Sequence, residues 1–356
     1  MRISLRLLLP AILGTIIFLS GIGLSLSING HPLKLAHDDE TGELTVISTN
    51  QVLIINDMGE IITTVNLVND EYAYTSSNGR FILIAHFHKD KFPLVADLKL
   101  LNSSGDILWT KNAETFSSAR VGNLGNVLSV AFLGEGPQSP AVITLFNSNG
   151  SEIGSWNIEH LGESLFSNNG KMIAINSANE NILVYSTDTA GEMAQLPSTP
   201  IFALSSDGDM LLSVSKSDIT CYSLKDADFT IIQSGIEIPR FVFMGNDNNQ
   251  ILVAGKDDLS LLSLEKNSSK HIKLPNLNYS ITSIDMNSDF SLITVGASDL
   301  KGNGVIWLFD NDLKLVSSEN MSIGKNNGNI PQVALLPDGR VMVLTSDGIL
   351  PCNFTR

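Results

Sequence analysis

Residues 76–85 read Ser-Ser-Asn-Gly-Arg-Phe-Ile-Leu-Ile-Ala, a polar turn followed at once by a β-rich apolar run. Such turns need φ > 0, which Gly and Asn supply at least cost. The apolar run behind a polar turn appears eight times. It is Leu44–Ser48, Phe81–Ala85, Val127–Leu133 and Met172–Ile175, then Met210–Val214, Ile251–Gly255, Leu292–Gly296 and Val341–Thr345. Successive starts lie 37, 46, 45, 38, 41, 41 and 49 residues apart, a mean near 42. That is the period of a four-stranded propeller blade, and it is too long for a leucine-rich repeat. A pair of β-sandwiches would explain the strands but not the regular spacing.

A second apolar run follows each first one: Val52–Ile55, Leu98–Leu101, Val142–Phe146, Ile182–Tyr185, Ile219–Tyr222, Leu259–Leu262, Val305–Phe309 and Gly348–Cys352. Beyond the next turn comes a more polar run. It is Ile61–Val65, Ile107–Thr110, Glu152–Trp156, Glu192–Leu196, Phe229–Ile232, His271–Leu274 and Leu313–Ser317. The third strand is apolar throughout because blades pack on both of its faces, whereas an outer strand faces water. The reading is therefore all-β, a β-propeller of four-stranded antiparallel blades. Eight blades are expected, the last lacking its outer strand and the first opening on Leu33–Ala36. A seven-bladed ring completed by the N-terminal strands is the alternative.

The stretch Leu100-Leu101-Asn102-Ser103-Ser104-Gly105-Asp106-Ile107-Leu108-Trp109 has a close echo in Leu145-Phe146-Asn147-Ser148-Asn149-Gly150-Ser151-Glu152-Ile153-Gly154-Ser155-Trp156. A copy without Trp runs Ile55-Asn56-Asp57-Met58-Gly59-Glu60-Ile61. In order, these are an apolar strand, a Gly turn and a Trp, and they resemble the quinoprotein-like (PQQ-type, WD40-like) propeller repeat. The resemblance spans most of the chain as repeat shape, although only two blades carry the Trp and Trp307 does not match. It implies an eight-bladed ring with docking tryptophans, a form used by quinone dehydrogenases and by non-catalytic envelope proteins. The WD-repeat pattern is a weaker match, since no Trp-Asp dipeptide occurs.

Residues 1–30 read as a separate segment and 31–356 as the propeller. Arg2 and Arg6 precede Leu7–His31, which carries no Lys, Arg, Asp or Glu. Basic residues before an apolar run stay on the cytoplasmic side, so the propeller is expected outside the cytoplasm, periplasmic or extracellular. Two readings stand: residues 7–28 as an uncleaved transmembrane helix in the lipid bilayer, or a signal peptide cleaved behind Ser25 and Ser27, leaving a secreted ring.

The 356 residues carry 22 Lys+Arg against 37 Asp+Glu, and no basic run exists to meet phosphates, so no nucleic acid is expected as partner. Two cysteines, Cys221 and Cys352, exclude a disulfide-stapled scaffold and a four-cysteine zinc site. Three blades apart in a ring, they are expected to be free buried thiols. No Gly-x-Ser-x-Gly, phosphate loop, His-Glu-x-x-His or Cys-x-x-Cys occurs. The calcium cluster and carboxylate of a quinone enzyme find no matching motif. Expected are no cofactor, no metal and no catalytic residue.

His86 and His88 share a strand face by alternation, but they follow the end of the FILIA strand and read as a solvated loop edge without an evident third ligand. Long second-to-third-strand connections stand out at His86–Val95, Gly134–Ala141 and Ala297–Gly304, joined by Ser318–Asn329 on the same face. They hold His86, His88, Lys89, Lys91, Phe92, Glu135, Pro137, Gln138, Asp299 and Lys301, a mixed polar set suited to a protein partner. The function expected is a membrane-anchored scaffold or adaptor with protein partners in the membrane or cell envelope. The alternative is a quinoprotein-like enzyme or ligand sensor using the central channel.

Overall fold

The computed structural model describes residues 28, 31–88, 94–134, 139–177, 180–266, 268–276, 278–299, 301–323, 331–352 and 354. The first blade is an antiparallel meander of β1 (Pro32–His37), β2 (Leu44–Ser48), β3 (Gln51–Ile55) and β4 (Ile61–Asn66). The same unit repeats over residues 71–113, 118–158, 161–197, 201–233, 241–273 and 280–322 as β5 to β28. The eighth sheet has three strands, β29 (Gln332–Leu335), β30 (Val341–Thr345) and β31 (Gly348–Pro351). The ring has eight blades, and the seven-bladed alternative is set aside.

The opening turns show why the sequence folds this way. Ser76 Oγ donates to Asn78 Oδ1 (2.7 Å) and accepts from the Phe81 N–H (3.2 Å), while Gly79 takes φ 72°. The same arrangement recurs at Ser167 with Asn169 and Met172, and at Ser205 with Asp207 and Met210. A serine hydroxyl thus caps the turn and delivers the chain into the second strand, which satisfies backbone groups that burial would otherwise orphan. Every residue of β2 and β3 is buried, whereas β4 is buried nowhere. Apolar clusters form between neighbouring blades, as where Ile47, Val52 and Ile54 meet Ile82, Ile84 and Leu101.

The docking tryptophans are real. Trp109, in β8 (Ile107–Ala113), is buried against the next blade, 6.3 Å from the Phe146 ring and over Gly150. Trp156, in β12 (Glu152–Ile158), lies 4.3 Å from Tyr185 of the blade after it. A Cβ on Gly150 would stand 3.0 Å from the Trp109 ring, and its φ is 82°. Gly150→Ala is therefore expected to cost about 1–3 kcal/mol in chemical denaturation, more than a strain-free Gly→Ala change, which stabilises.

Several boundaries differ from expectation, two of them in outer strands. The outer strand of blade six is β24 (Ser268–Lys273) and not His271–Leu274, because Ser268 and Ser269 pair with Ser263 and Leu262. An exposed strand has no need of apolar residues there, so the sequence carried little signal. In blade seven, Leu313 belongs to the preceding turn with φ 56°, and β28 (Leu315–Ser322) runs on through residues 318–322, which were expected as loop. Both cysteines are free, Cys221 buried and Cys352 half-buried, and burial pushes the Cys221 thiol up to about 12.

Among the described residues no strand is exchanged where the ring closes, since blade one and blade eight each use only their own strands. Side chains tie the seam instead. Gln332 accepts the Leu35 N–H (2.8 Å) and donates to the Leu33 carbonyl (3.1 Å). On the other flank of β29, Ser283 Oγ donates to the Pro331 carbonyl (2.9 Å) and accepts the Val333 N–H (3.1 Å). Between the sheets, Leu44, Val46, Leu53 and Ile55 pack on Met342, Leu344 and Ile349.

Candidate functional site

The meander gives the ring two unlike faces. One carries the first-to-second and third-to-fourth strand connections, all four to six residues long. The other carries the second-to-third connections and the links between blades, which range from two residues to nine. The long ones on this variable face are residues 89–94, 133–140, 234–240, 274–279 and 323–331. The long connection expected at Ala297–Gly304 shrinks to 299–302, because β26 (Leu292–Ser298) and β27 (Asn303–Asp310) run into it.

Of the residues expected there, Lys89, Lys91, Phe92, Glu135, Pro137 and Gln138 lie outside the described residues. His86 and His88 are not at a loop edge: β6 (Phe81–His88) continues through both. They do share a face, their rings 5.4 Å apart and edge-to-face. Ladder pairing sets Glu71, His86, Asp97 and Asn112 side by side across the second blade. Asp97 accepts from Asn112 Nδ2 (2.8 Å) and faces His88 Nε2 (2.9 Å), and these two bonds hold its carboxyl below the usual range. The row lines a shallow cavity of about 530 Å3 toward the variable face. Asp299 spends its oxygens within its own turn, accepting the N–H groups of Lys301 (2.8 Å) and Asn303 (2.9 Å). Blades two and seven are not neighbours, so the structure gathers these residues on one face but not into one cluster.

The axis itself holds groups that the sequence reading missed. A cavity of about 600 Å3 opens toward the uniform face, lined by His37, Asp39, Asp285, Asn123, Phe243 and Met286 among others. Asn123 accepts from Ser77 Oγ (2.9 Å) and donates to the Asn168 carbonyl (2.9 Å), so its amide already links three successive blades. Asp285, on β25 (Ser280–Met286), accepts the Leu335 N–H of blade eight (2.6 Å) and lies 3.4 Å from His37 Nδ1 of blade one. His37 Nε2 meets Asp39 Oδ1 at 2.7 Å. Burial pushes the Asp285 carboxyl up to about 6, against the pull of His37 and two backbone N–H groups. Burial lowers the imidazole, but Asp285 and Asp39 outweigh it and raise His37 to about 8. Nearby Asp38 pairs with Arg80 of blade two, and that guanidinium, with two backbone N–H groups, overcomes burial to hold it low.

Chemically this is a three-blade tie. Both His37 nitrogens and one Asp285 oxygen have partners within the protein, and these contacts join blades one, seven and eight. Among the described residues, no group of three His, Cys, Asp or Glu side chains is placed to hold a metal ion. The only sequence signal was a carboxylate set in the otherwise apolar and hydroxylic strand Ser280–Met286, and its partners stand far away in the chain.

No family model matches the chain, and no curated protein matches it. Solved structures do share its shape. The C-terminal WD40 domain of Sif2 superposes with a TM-score of 0.62 at 13% identity, over 93% of this chain and 98% of that one. BamB from Moraxella catarrhalis gives 0.55 at 12% identity, over 92% and 99%. The dihydro-heme d1 dehydrogenase NirN in complex with DHE gives 0.56 at 13%, over 84% and 69%. The chain is thus an eight-bladed β-propeller, similar in shape to the WD40 domain of Sif2 and to BamB. At these identities the likeness establishes the fold alone.

Proposed function

We propose that the chain is a non-catalytic scaffold or adaptor, held outside the cytoplasm by residues 7–28 and offering its variable face to protein partners in the membrane or cell envelope. The observation that carries this reading is the asymmetry of the ring. One face is built of uniform short turns bonded to each other, whereas on the opposite one the connections vary from two residues to nine. Length without a structural requirement is where a propeller can acquire a partner at little cost to its core. The Sif2 domain and BamB, as propellers of similar extent, agree with this reading. NirN, named a dehydrogenase, keeps the enzyme alternative as an outcome of the test.

Among the described residues no helix is long and apolar enough to cross a membrane, and residues 1–27 lie outside them. Fractionation with N-terminal sequencing therefore tests the anchor. The partner is tested by affinity purification from gently solubilised membranes. The intact protein is compared with one whose 89–94 and 133–140 connections are cut to the two-residue length found at 49–50. A recurrent partner lost on shortening is the expected result. Recovery of a lone protein carrying a bound cofactor, or a partner indifferent to the shortening, overturns the reading.

A further inference from the structure

The point where the chain enters the ring carries more than the closure. His31 donates its N–H to Thr49 Oγ1 (3.0 Å), and its carbonyl accepts the Thr49 N–H (2.9 Å). Thr49 lies in the β2–β3 connection, so the chain enters on the variable face, at the innermost strand and near the axis. Ile28, the last residue of the apolar run, already packs against the seam cluster of Leu44, Val46 and Leu344. Only three residues, 29–31, separate it from Pro32, a reach of about 15 Å at full extension.

We infer that the propeller sits with its variable face flat against the bilayer that the apolar run ahead of Ile28 enters, and that the lipid surface is the first occupant of that face. The inference rests on the proposed anchoring and deepens it. An apolar run that ends at the ring leaves no tether long enough to turn the molecule over. Entry near the axis, not at the rim, favours a face-on pose over an edge-on one.

Two independent features agree. Charge is divided unequally: connections on the uniform face hold sixteen acidic and six basic side chains, those on the variable face ten and seven. A surface held near anionic lipid headgroups is opposed by each uncompensated carboxylate, so the less acidic face is the one that tolerates the contact. Among the described residues exposed apolar side chains are also more numerous in the variable connections, where Val68 (61% exposed), Leu94, Leu133 (63%) and Ile238 (71%) stand against Met58 and Leu124 on the uniform face. Such residues, scattered on a soluble protein, need no explanation, but at a membrane they are the groups that enter the interfacial layer. A protein partner of this face must then present its binding part at the bilayer surface.

The test uses the full-length protein in phosphatidylcholine–phosphatidylglycerol vesicles, with a fluorophore on Val68→Cys or Ile238→Cys, compared with Met58→Cys in a β3–β4 turn of the opposite face. All three positions are widely exposed, and the two native thiols are buried or half-buried with raised pKa values, so the new cysteine labels selectively. Unsubstituted protein is the labelling control. Nitroxide-bearing lipids are expected to quench the Val68 and Ile238 labels several-fold more than the Met58 label. Equal quenching, or stronger quenching at Met58, overturns the orientation while leaving the anchor intact. Protein that does not sediment with the vesicles overturns the anchor and the orientation together. If vesicles quench none of the labels although the protein is bound, the lipid is not the occupant and the pose fails.

Discussion

Replacing Phe290 by alanine is expected to cost about 3–5 kcal/mol, and replacing it by glycine about 1 kcal/mol less. Phe290 sits in the turn between β25 and β26 (Leu292–Ser298), where five other blades place Gly79, Gly125, Gly170, Gly208 and Gly339. Each glycine has φ between 69° and 84°, and Phe290 adopts φ 54°. A side chain in that left-handed region is strained, yet this one is 1% exposed. Its ring fills the space beside Gly245 of the preceding blade, where an added Cβ would stand 2.9 Å away. Burial of the aromatic ring thus outweighs the backbone strain. Alanine loses the ring and keeps the strain, whereas glycine loses the ring and the strain together. The inverted order, glycine above alanine, is read by urea denaturation of the two variants. An alanine variant more stable than the glycine variant would show that the conformation at 290 relaxes when the ring is gone.

The second expected result concerns pH. The folded protein should lose stability as pH rises from about 5 to about 9, and Asp285→Asn should flatten that dependence. The signs follow from both groups of the closure tie. Asp285 is raised to about 6 from an ordinary value of 3.8 because it is buried, so the native state holds its proton more firmly than the unfolded chain. Its contribution is present below the ordinary value and is lost as pH climbs through about 6. His37, raised from 6.5 to about 8 by Asp285 and Asp39 against its burial, contributes fully below 6.5 and loses its part as pH passes about 8. Asparagine keeps a carbonyl oxygen for the Leu335 N–H but carries no charge for His37, so the imidazole falls back. Asp285→Ala goes further and strands a buried N–H, at a cost of about 1–3 kcal/mol. Thermal melts of the three proteins between pH 5 and 9 check this. Parallel curves for Asp285→Asn and the unsubstituted protein would mean that the pair does not titrate in this window.

Much of the architecture could be read from residues close together in the chain. The Ser-x-Asn/Asp-Gly turns at 76–79, 167–170 and 205–208 are local hydrogen-bonding units, and the strands behind them are buried on both faces, so turn and run announce each other. Trp109 and Trp156 were legible for the same reason, each following a Gly turn, four residues behind Gly105 and six behind Gly150. Where a strand is wholly exposed, as at Ser268 and Ser269, burial demands nothing of its composition and its boundary was misplaced. The extension of β6 through His86 and His88 was missed because a histidine on an outward strand end looks like a loop residue.

Sequence alone determined the class of strand and the repeat length, and it favoured eight blades over seven. These follow from alternation, turn chemistry and spacing, which act within one blade. Tertiary structure alone decided how the ring closes and what lines its axis. His37, Asp285, Leu335 and Gln332 come from the first, seventh and eighth blades, and no local pattern links residues that meet only when a ring of eight comes full circle. It also decided which face the chain enters, since that depends on the His31–Thr49 contact and the packing of Ile28 at the seam. A meander repeats its chemistry every blade, but a ring has only one closure, and its residues are specified by position and not by repetition.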